Sequence, residues 1–186
     1  MELNPSINAF FEAHVDRACN EAALSPARDT ENYLVQLLTG YIQRNIDESP
    51  LCLRLYGALN APPAQRRESL RDIGDTSLFL TGFFAERLEN GVVGVDYYMS
   101  MGESAYGILA GQATGARHTV YAELASKFDG FVRVLASINA RWNPERSPRD
   151  VVKLYERWQR TGSRWARARL AALGVTSVGG KPGGLQ

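Results

Sequence analysis

The sequence is poor in residues that bind metals, form disulfides or span membranes. Its 186 residues include only two cysteines and two histidines, and neither Cys19 nor Cys52 lies in a Cys-x-x-Cys pair. No stretch approaches the roughly 18 uninterrupted apolar residues of a transmembrane helix. We therefore expect no zinc site, no disulfide scaffold and no membrane span. The first residues lack the basic and apolar regions of an export signal, which predicts a reducing, cytoplasmic location.

Catalytic signatures are equally scarce. The segment from Gly102 through Ser104 to Tyr106 approaches the Gly-x-Ser-x-Gly motif of hydrolases, but it ends in tyrosine and no strand precedes it. The sequence contains neither a phosphate-binding loop ending in Gly-Lys-Ser/Thr nor a Glu-x-x-His pair of the di-iron bundles. We therefore expect no catalytic residue, no metal site and no bound cofactor, and we favour a non-enzymatic role.

Charge is distributed unevenly along the chain. The formal net charge is only +1, but residues 1–140 carry a net charge of −6 and residues 141–186 carry +7. Such a division indicates that the C-terminal segment meets an acidic counterpart. That counterpart is either the rest of the same chain or another molecule.

The basic residues of this C-terminal segment follow the step of one helical face. Seven of them recur at intervals of three or four residues and fall within an arc of roughly 80°: Arg146, Arg149, Lys153, Arg157, Arg160, Arg164 and Arg167. The opposite side of the predicted helix carries apolar and aromatic residues: Val151, Leu154, Tyr155, Trp158 and Trp165. We expect the aromatic side to be buried and the basic side to face solvent or acidic groups, since buried unpaired guanidinium groups are costly.

Several partners fit a basic stripe of this kind. A protein partner or a second copy of the chain is favoured, because Trp and Arg dominate binding hot spots. Nucleic acid is an alternative, although no helix-turn-helix is recognisable and the overall charge is balanced. Membrane-surface binding is less favoured, because the tryptophans are also needed to dock the helix on its own bundle. The candidate contact residues are Arg149, Lys153, Arg157, Arg160, Arg164 and Arg167.

Hydrophobic periodicity predicts an all-α fold, a single bundle-like domain of seven or eight helices. The only short β-branched run, at residues 92–95, is interrupted by glycine. The helices are expected at residues 5–23, 30–46, 50–58, 62–73, 76–88, 95–110, 118–142 and 148–173, with a break at Gly74 and a bend at Gly162. We expect one domain over residues 1–173, followed by a loose, glycine-rich tail over 174–186.

The predicted helix at 95–111 contains several glycines, each of which costs about 1 kcal/mol relative to alanine in a helix interior. Such a cost favours a place where another backbone approaches closely, either in the core or across a subunit boundary. Gly107 and Gly111 also form a Gly-x-x-x-Gly pair. We therefore add Gly102, Tyr106 and Gly107 to the candidate contact residues.

His14 is the one candidate for cofactor binding. It shares a predicted apolar face with Phe10, Phe11 and Ala18. A histidine projecting into a helical bundle resembles the haem ligation of haem-degrading helical enzymes. A small-molecule or haem-binding enzyme, with its pocket between the 76–88 and 95–111 helices, is accordingly the alternative function, although a core histidine with a satisfied hydrogen bond is the commoner case.

Residues 70–84 and 95–102 resemble segments of small bacterial helical proteins, and this resemblance implies no activity and no site residue. From the residues themselves we expect a helical binding or regulatory module that acts through protein–protein contacts, with a homodimer as one form. Nucleic-acid binding through the basic helix is the second alternative.

Overall fold

A computed structural model describes most of the N-terminal three quarters of the chain. The described residues are 5–41, 49–89, 91, 93–142, 155, 158, 160–163, 167 and 170. Contacts within the chain divide it into two compact units, Met1–Trp142 and Asn143–Gln186. The boundary expected after residue 173 lies outside the described residues, so that division stays a prediction.

The described residues are all-α and contain no strand, as the periodicity predicted. The described residues of the first unit form eight helices: α1 (Pro5–Glu21), α2 (Arg28–Tyr41), α3 (Leu51–Asn60), α4 (Pro63–Phe83), α5 (Ala85–Glu89), α6 (Val95–Gln112), α7 (Gly115–Ser126) and α8 (Phe128–Trp142). Residues 42–46, which were expected to extend α2, lie outside the described residues.

Helix α4 runs without interruption through Gly74, so the break predicted there is wrong. The aromatic ring of Tyr106, on α6, packs directly against the α4 backbone at this glycine. A Cβ atom built on Gly74 would lie 2.7 Å from Cε1 of Tyr106, closer than van der Waals contact allows. Glycine at position 74 therefore lowers the helix propensity of α4 but allows α4 and α6 to approach closely.

Helix α4 is also the centre of the first unit, because it packs against α2, α3, α5, α6 and α8. Residues 73–78 are buried in succession, so this part of the helix is enclosed on every side. The apolar core around it includes Leu70, Ile73 and Leu78 of α4, together with Phe128 and Phe131 of α8. Polar residues inside this enclosed stretch must find their partners within the protein.

The predicted helix over 118–142 is two helices in the structure. Helix α7 ends at Ser126, and Lys127 leaves the helical conformation with φ −116° and ψ 26°. Helix α8 then begins at Phe128. The apolar period continues through both helices, because Leu124, Phe128 and Phe131 are all buried. Periodicity alone therefore could not reveal the break.

A side chain from α7 satisfies the N-terminus of α2. The carboxylate oxygen Oε2 of Glu123 accepts hydrogen bonds from the backbone N–H of Ala27, at 2.8 Å, and from the hydroxyl of Thr30, at 2.7 Å. Lys127 Nζ lies 2.9 Å from the other carboxylate oxygen. Burial would raise the pKa of Glu123, but these donors outweigh burial and lower it. Glu123 thus caps a helix that begins almost a hundred residues earlier.

In the second unit, the described residues fit the predicted amphipathic pattern. Trp158 and Leu170 are buried, whereas Arg160 and Arg167 are exposed. Gly162 has a left-handed φ of 66°, and its N–H donates to the carbonyl of Trp158. A glycine in this conformation ends a helical turn, which is where the bend was predicted. Trp165 and the other five residues of the basic stripe lie outside the described residues.

The contact surface predicted on the 95–111 helix needs correction. Gly102 and Tyr106 are buried inside the first unit, so they cannot belong to an exposed contact surface. A Cβ on Gly102 would lie 2.4 Å from the ring of Phe128 and 2.9 Å from Cβ of Ser77, which confirms close packing at this position. Gly107 is exposed, with nothing described within 4 Å of such an atom. It remains a candidate contact residue but is not packed in the core.

These two glycines give opposite stability predictions on one helix. Gly102→Ala should destabilise the protein by about 1–3 kcal/mol, since Phe128 and Ser77 must move. Gly107→Ala should stabilise it by up to about 1 kcal/mol through helix propensity. The measurement is the free energy of unfolding in urea for both variants. Changes of the same sign would contradict the packing described for α6.

Candidate functional site

A buried carboxylate on α4 is the centre of a group of polar side chains in the first unit. Asp75 is only 6% exposed. Its Oδ1 atom accepts a hydrogen bond from the hydroxyl of Tyr33, on α2, at 2.5 Å and another from the hydroxyl of Tyr106, on α6, at 2.8 Å. Its Oδ2 atom lies 3.5 Å from Nε of Arg71, one helical turn earlier. Three helices therefore meet through one side chain.

Aromatic rings enclose this carboxylate. Tyr121, on α7, completes a group of three tyrosines, with its ring centroid 6.0 Å from that of Tyr33 and 6.1 Å from that of Tyr106. The guanidinium carbon of Arg71 lies 6.0 Å from the centroid of the Tyr33 ring, within the range of a cation–π contact. We refer to Tyr33, Arg71, Asp75, Tyr106 and Tyr121 as the Asp75 cluster.

The electrostatics of the cluster follow from burial. Burial raises the pKa of Asp75, and the hydrogen bonds from Tyr33 and Tyr106 and the charge of Arg71 only partly offset this rise. Burial, together with the negative charge of Asp75, also raises the pKa values of Tyr33 and Tyr106. Both phenols therefore stay protonated at neutral pH and act as hydrogen-bond donors rather than as bases.

A small pocket lies beside the cluster, between α2 and α4. Its volume is about 70 Å³, and it is lined by Tyr33, Gln36, Leu37, Gly40, Tyr41, Arg71 and Asp75. Gly40 contributes an open part of the wall, because a Cβ built there would meet nothing described within 4 Å. This pocket differs in place from the one expected between the 76–88 and 95–111 helices.

Helix α3 presents apolar side chains to solvent. Leu53 is 66% exposed and Tyr56 is 72% exposed, and Leu59 is also exposed. With the exposed thiol of Cys52 these residues fall within an arc of roughly 120° on the helix. We refer to Cys52, Leu53, Tyr56 and Leu59 as the α3 apolar face. Large apolar side chains clustered in this way make the α3 apolar face a candidate contact surface.

His14 lies at the edge of the bundle rather than in its interior. Its Nδ1 atom is 2.8 Å from the carbonyl oxygen of Phe10, and its ring lies against the Phe10 ring at a centroid distance of 4.1 Å, with the two ring planes tilted by 37°. The buried stripe of α1 is Phe11, Val15, Ala18 and Cys19. His14 therefore does not lie on the buried face of α1, as was predicted, but beside it. Haem ligation by His14 stays a prediction.

Two residues of the basic stripe can be placed. Arg160 and Arg167 are exposed, in agreement with the predicted solvent-facing side. The remaining candidates, Arg149, Lys153, Arg157 and Arg164, lie outside the described residues. Binding of an acidic partner or of nucleic acid by this stripe stays a prediction.

Sequence reasoning missed the Asp75 cluster. Arg71 and Asp75 are separated by four residues, which places them on one face of a continuous helix. The break predicted at Gly74 placed Arg71 in one helix and left Asp75 in the gap before the next, which hid this relation. A signal was nevertheless present, because Asp75, Thr76 and Ser77 interrupt an otherwise apolar stretch that a central helix would bury.

Among the described residues, His, Cys, Asp and Glu side chains form no group of three or more that could hold a metal ion. None of the helices in that same part of the chain is long and apolar enough to cross a membrane.

Comparison with protein families, with curated proteins and with solved structures finds no match for this chain.

The raised pKa of Asp75 predicts a pH-dependent stability. The folded protein holds this proton more tightly than the unfolded chain, in which an aspartate pKa is about 3.9. The stabilisation from the protonated form is complete below about pH 4 and is lost as pH rises through the folded-state pKa. The Asn side chain of Asp75→Asn does not titrate. Relative to this variant, the wild-type free energy of unfolding should fall as pH rises from about 4 through the folded-state pKa of Asp75, by at most about 1.4 kcal/mol per pH unit.

The measurement is urea unfolding of both proteins from about pH 4 to pH 8. Asp129→Asn removes an exposed carboxylate of α8 and serves as the matched control. A difference between wild type and Asp75→Asn that does not change with pH would contradict the raised pKa.

Proposed function

We propose that this protein is a non-enzymatic, helical interaction module that self-associates through the α3 apolar face. The observation that carries the proposal is the exposure of Leu53 and Tyr56 on one side of a short helix. Burying such side chains against a partner would stabilise a complex, with about 25 cal/mol gained per Å² of apolar surface removed from water. Tyrosine is also among the residues that most often dominate binding energy.

The opposite side of α3 is firmly attached to the rest of the first unit. Leu51 and Ala58 are buried. Arg54 Nη2 pairs with Asp72 Oδ2, on α4, at 2.5 Å, and the N–H of Cys52 donates to the hydroxyl of Tyr97, on α6, at 2.9 Å. The apolar face is therefore presented on a fixed helix, so its ordering costs little on binding.

The composition of the face favours a second copy of the chain. Its only charged neighbour on α3 is Arg54, which is paired with Asp72. Two copies related by a two-fold axis would therefore meet without like-charge repulsion. Gly57 lies beside Leu53 and Tyr56 on the helix, and a Cβ there would meet nothing described within 4 Å. A glycine at this place allows two helices to approach closely.

We also propose the cytoplasm as the location, because Cys19 and Cys52 are both free thiols and Cys52 is exposed. A reducing compartment keeps such thiols unpaired.

Substitution of Tyr56 by Glu tests the proposal. The variant should fold normally, because Tyr56 is exposed, but its self-association should weaken at least about tenfold, because two like charges would meet across the two-fold axis. Sedimentation over a range of concentrations measures the dissociation constant. Ser104→Glu adds the same charge at an exposed position of α6 and should leave self-association unchanged.

Mild oxidation supplies a second readout. Pairing of two α3 apolar faces would bring the two Cys52 thiols together. Oxidation should therefore give a disulfide-linked dimer in the wild type but not in Cys52→Ser. A wild-type protein that stays monomeric at high micromolar concentration would overturn self-association. Equal weakening by Tyr56→Glu and Ser104→Glu would overturn the assignment to α3.

A further inference from the structure

The pocket between α2 and α4 contains two opposite charges with unused hydrogen-bonding capacity. Oδ1 of Asp75 already accepts two hydroxyl hydrogen bonds. Oδ2 has Arg71 Nε as its described partner, at 3.5 Å, which is too long for a strong hydrogen bond. A carboxylate oxygen in a nearly buried position gains from a closer donor.

Arg71 has the complementary capacity. Among the described residues its contacts are the Nε–Asp75 pair and the face of the Tyr33 ring. Its side chain is 60% exposed. The two terminal nitrogens of a guanidinium carry four N–H donors in a planar fork, which matches the two oxygens of a carboxylate.

The remaining walls limit the size and chemistry of an occupant. Tyr33 and Tyr41 supply aromatic surface, Leu37 an apolar side and Gln36 an amide. Since one water takes up about 30 Å³ in the liquid, a volume of about 70 Å³ equals that of only two or three waters, so the occupant must be a very small molecule whose covalently bonded atoms pack more closely than separate waters. A flat aromatic cofactor does not fit this space.

We propose that this pocket binds a small zwitterion of the α-amino acid class. The ammonium group donates to Oδ2 of Asp75 beside the aromatic rings, and the carboxylate accepts from the terminal nitrogens of Arg71. Each charge of such a ligand meets its opposite, and the site stays neutral overall. A simple carboxylate would instead place its charge near Asp75, and a simple amine would place its charge near Arg71, so both should bind less well. This inference is independent of self-association through α3.

The test compares three probes on the full-length protein by ligand-observed NMR and calorimetry: glycine, glycolate and methylamine. Glycine should bind saturably at concentrations up to about 10 mM, and the other two at least about tenfold more weakly, since each makes only one of the two charge-assisted contacts. Glycolate that binds as well as glycine would overturn the zwitterion in favour of an anion site at Arg71. Absence of saturable glycine binding would overturn the site itself.

Two variants locate the binding. Gly40→Leu projects a side chain from the open wall and should abolish glycine binding, whereas Gly107→Leu makes the same change at an exposed glycine of α6 and should leave binding intact. Arg71→Gln keeps a hydrogen-bonding side chain but removes the charge at a largely exposed position, and it should reduce affinity at least about tenfold. Unchanged glycine binding in Gly40→Leu or in Arg71→Gln would place the ligand elsewhere and overturn the proposal.

Discussion

The burial of Asp75 is the constraint on which the arrangement of the helices depends. A carboxylate taken out of water costs several kcal/mol unless donors surround it. Tyr33 and Tyr106 meet this requirement from positions 42 residues before and 31 residues after Asp75 in the chain. Because the hydroxyl groups of Tyr33 and Tyr106 must both reach Asp75, the rotation of α2 and α6 about their axes is fixed. Apolar contacts alone would tolerate several such rotations, whereas a short hydrogen bond accepts very few.

The close approach at Gly74 belongs to the same constraint. Tyr106 reaches the carboxylate only because its ring lies flat against a helix backbone that has no side chain at that point. The hydrogen bond from Tyr106 to Asp75 and the absence of a side chain at Gly74 therefore belong to one arrangement. Helix α4 also holds Asp72, which pairs with Arg54 on α3. The pocket and the α3 apolar face consequently depend on neighbouring turns of a single helix.

The sequence predicted the helical class and most helix positions, because apolar residues recur at intervals of three and four along nearly every segment. It also predicted close packing at Gly102, Gly107 and Gly111; the contact with Phe128 confirms this for Gly102, whereas a Cβ on Gly107 or Gly111 would meet nothing described within 4 Å. The prediction from sequence failed at glycine, which can either end a helix or allow close packing within one. Gly74 was interpreted as a helix breaker, although tertiary packing here outweighs its low propensity. The break at Lys127 was missed, since the apolar pattern carries on through it.

The site itself was less predictable than the fold. Asp75 is one of 20 acidic residues, and its sequence neighbourhood does not show that two tyrosines from distant helices will reach it. The sequence predicted a short helix at residues 50–58 but not the exposed apolar face of α3, because periodicity identifies an amphipathic helix but not which apolar side chains remain uncovered. Both features depend on contacts between residues far apart in the chain, which a single sequence does not display.

The capping of α2 by Glu123 has a consequence for the order in which the chain acquires its structure during synthesis. The residues of α2 leave the ribosome long before those of α7 are synthesised. Until then the amide of Ala27 and the hydroxyl of Thr30 lack the Glu123 carboxylate that accepts their hydrogen bonds in the folded protein. Until then this end of α2 is hydrated and its first turn is poorly held. The N-terminus of α2 thus reaches its final form only after α7 has emerged. A nascent chain stalled before that point would display the apolar side of α2 to whatever binds unfinished proteins.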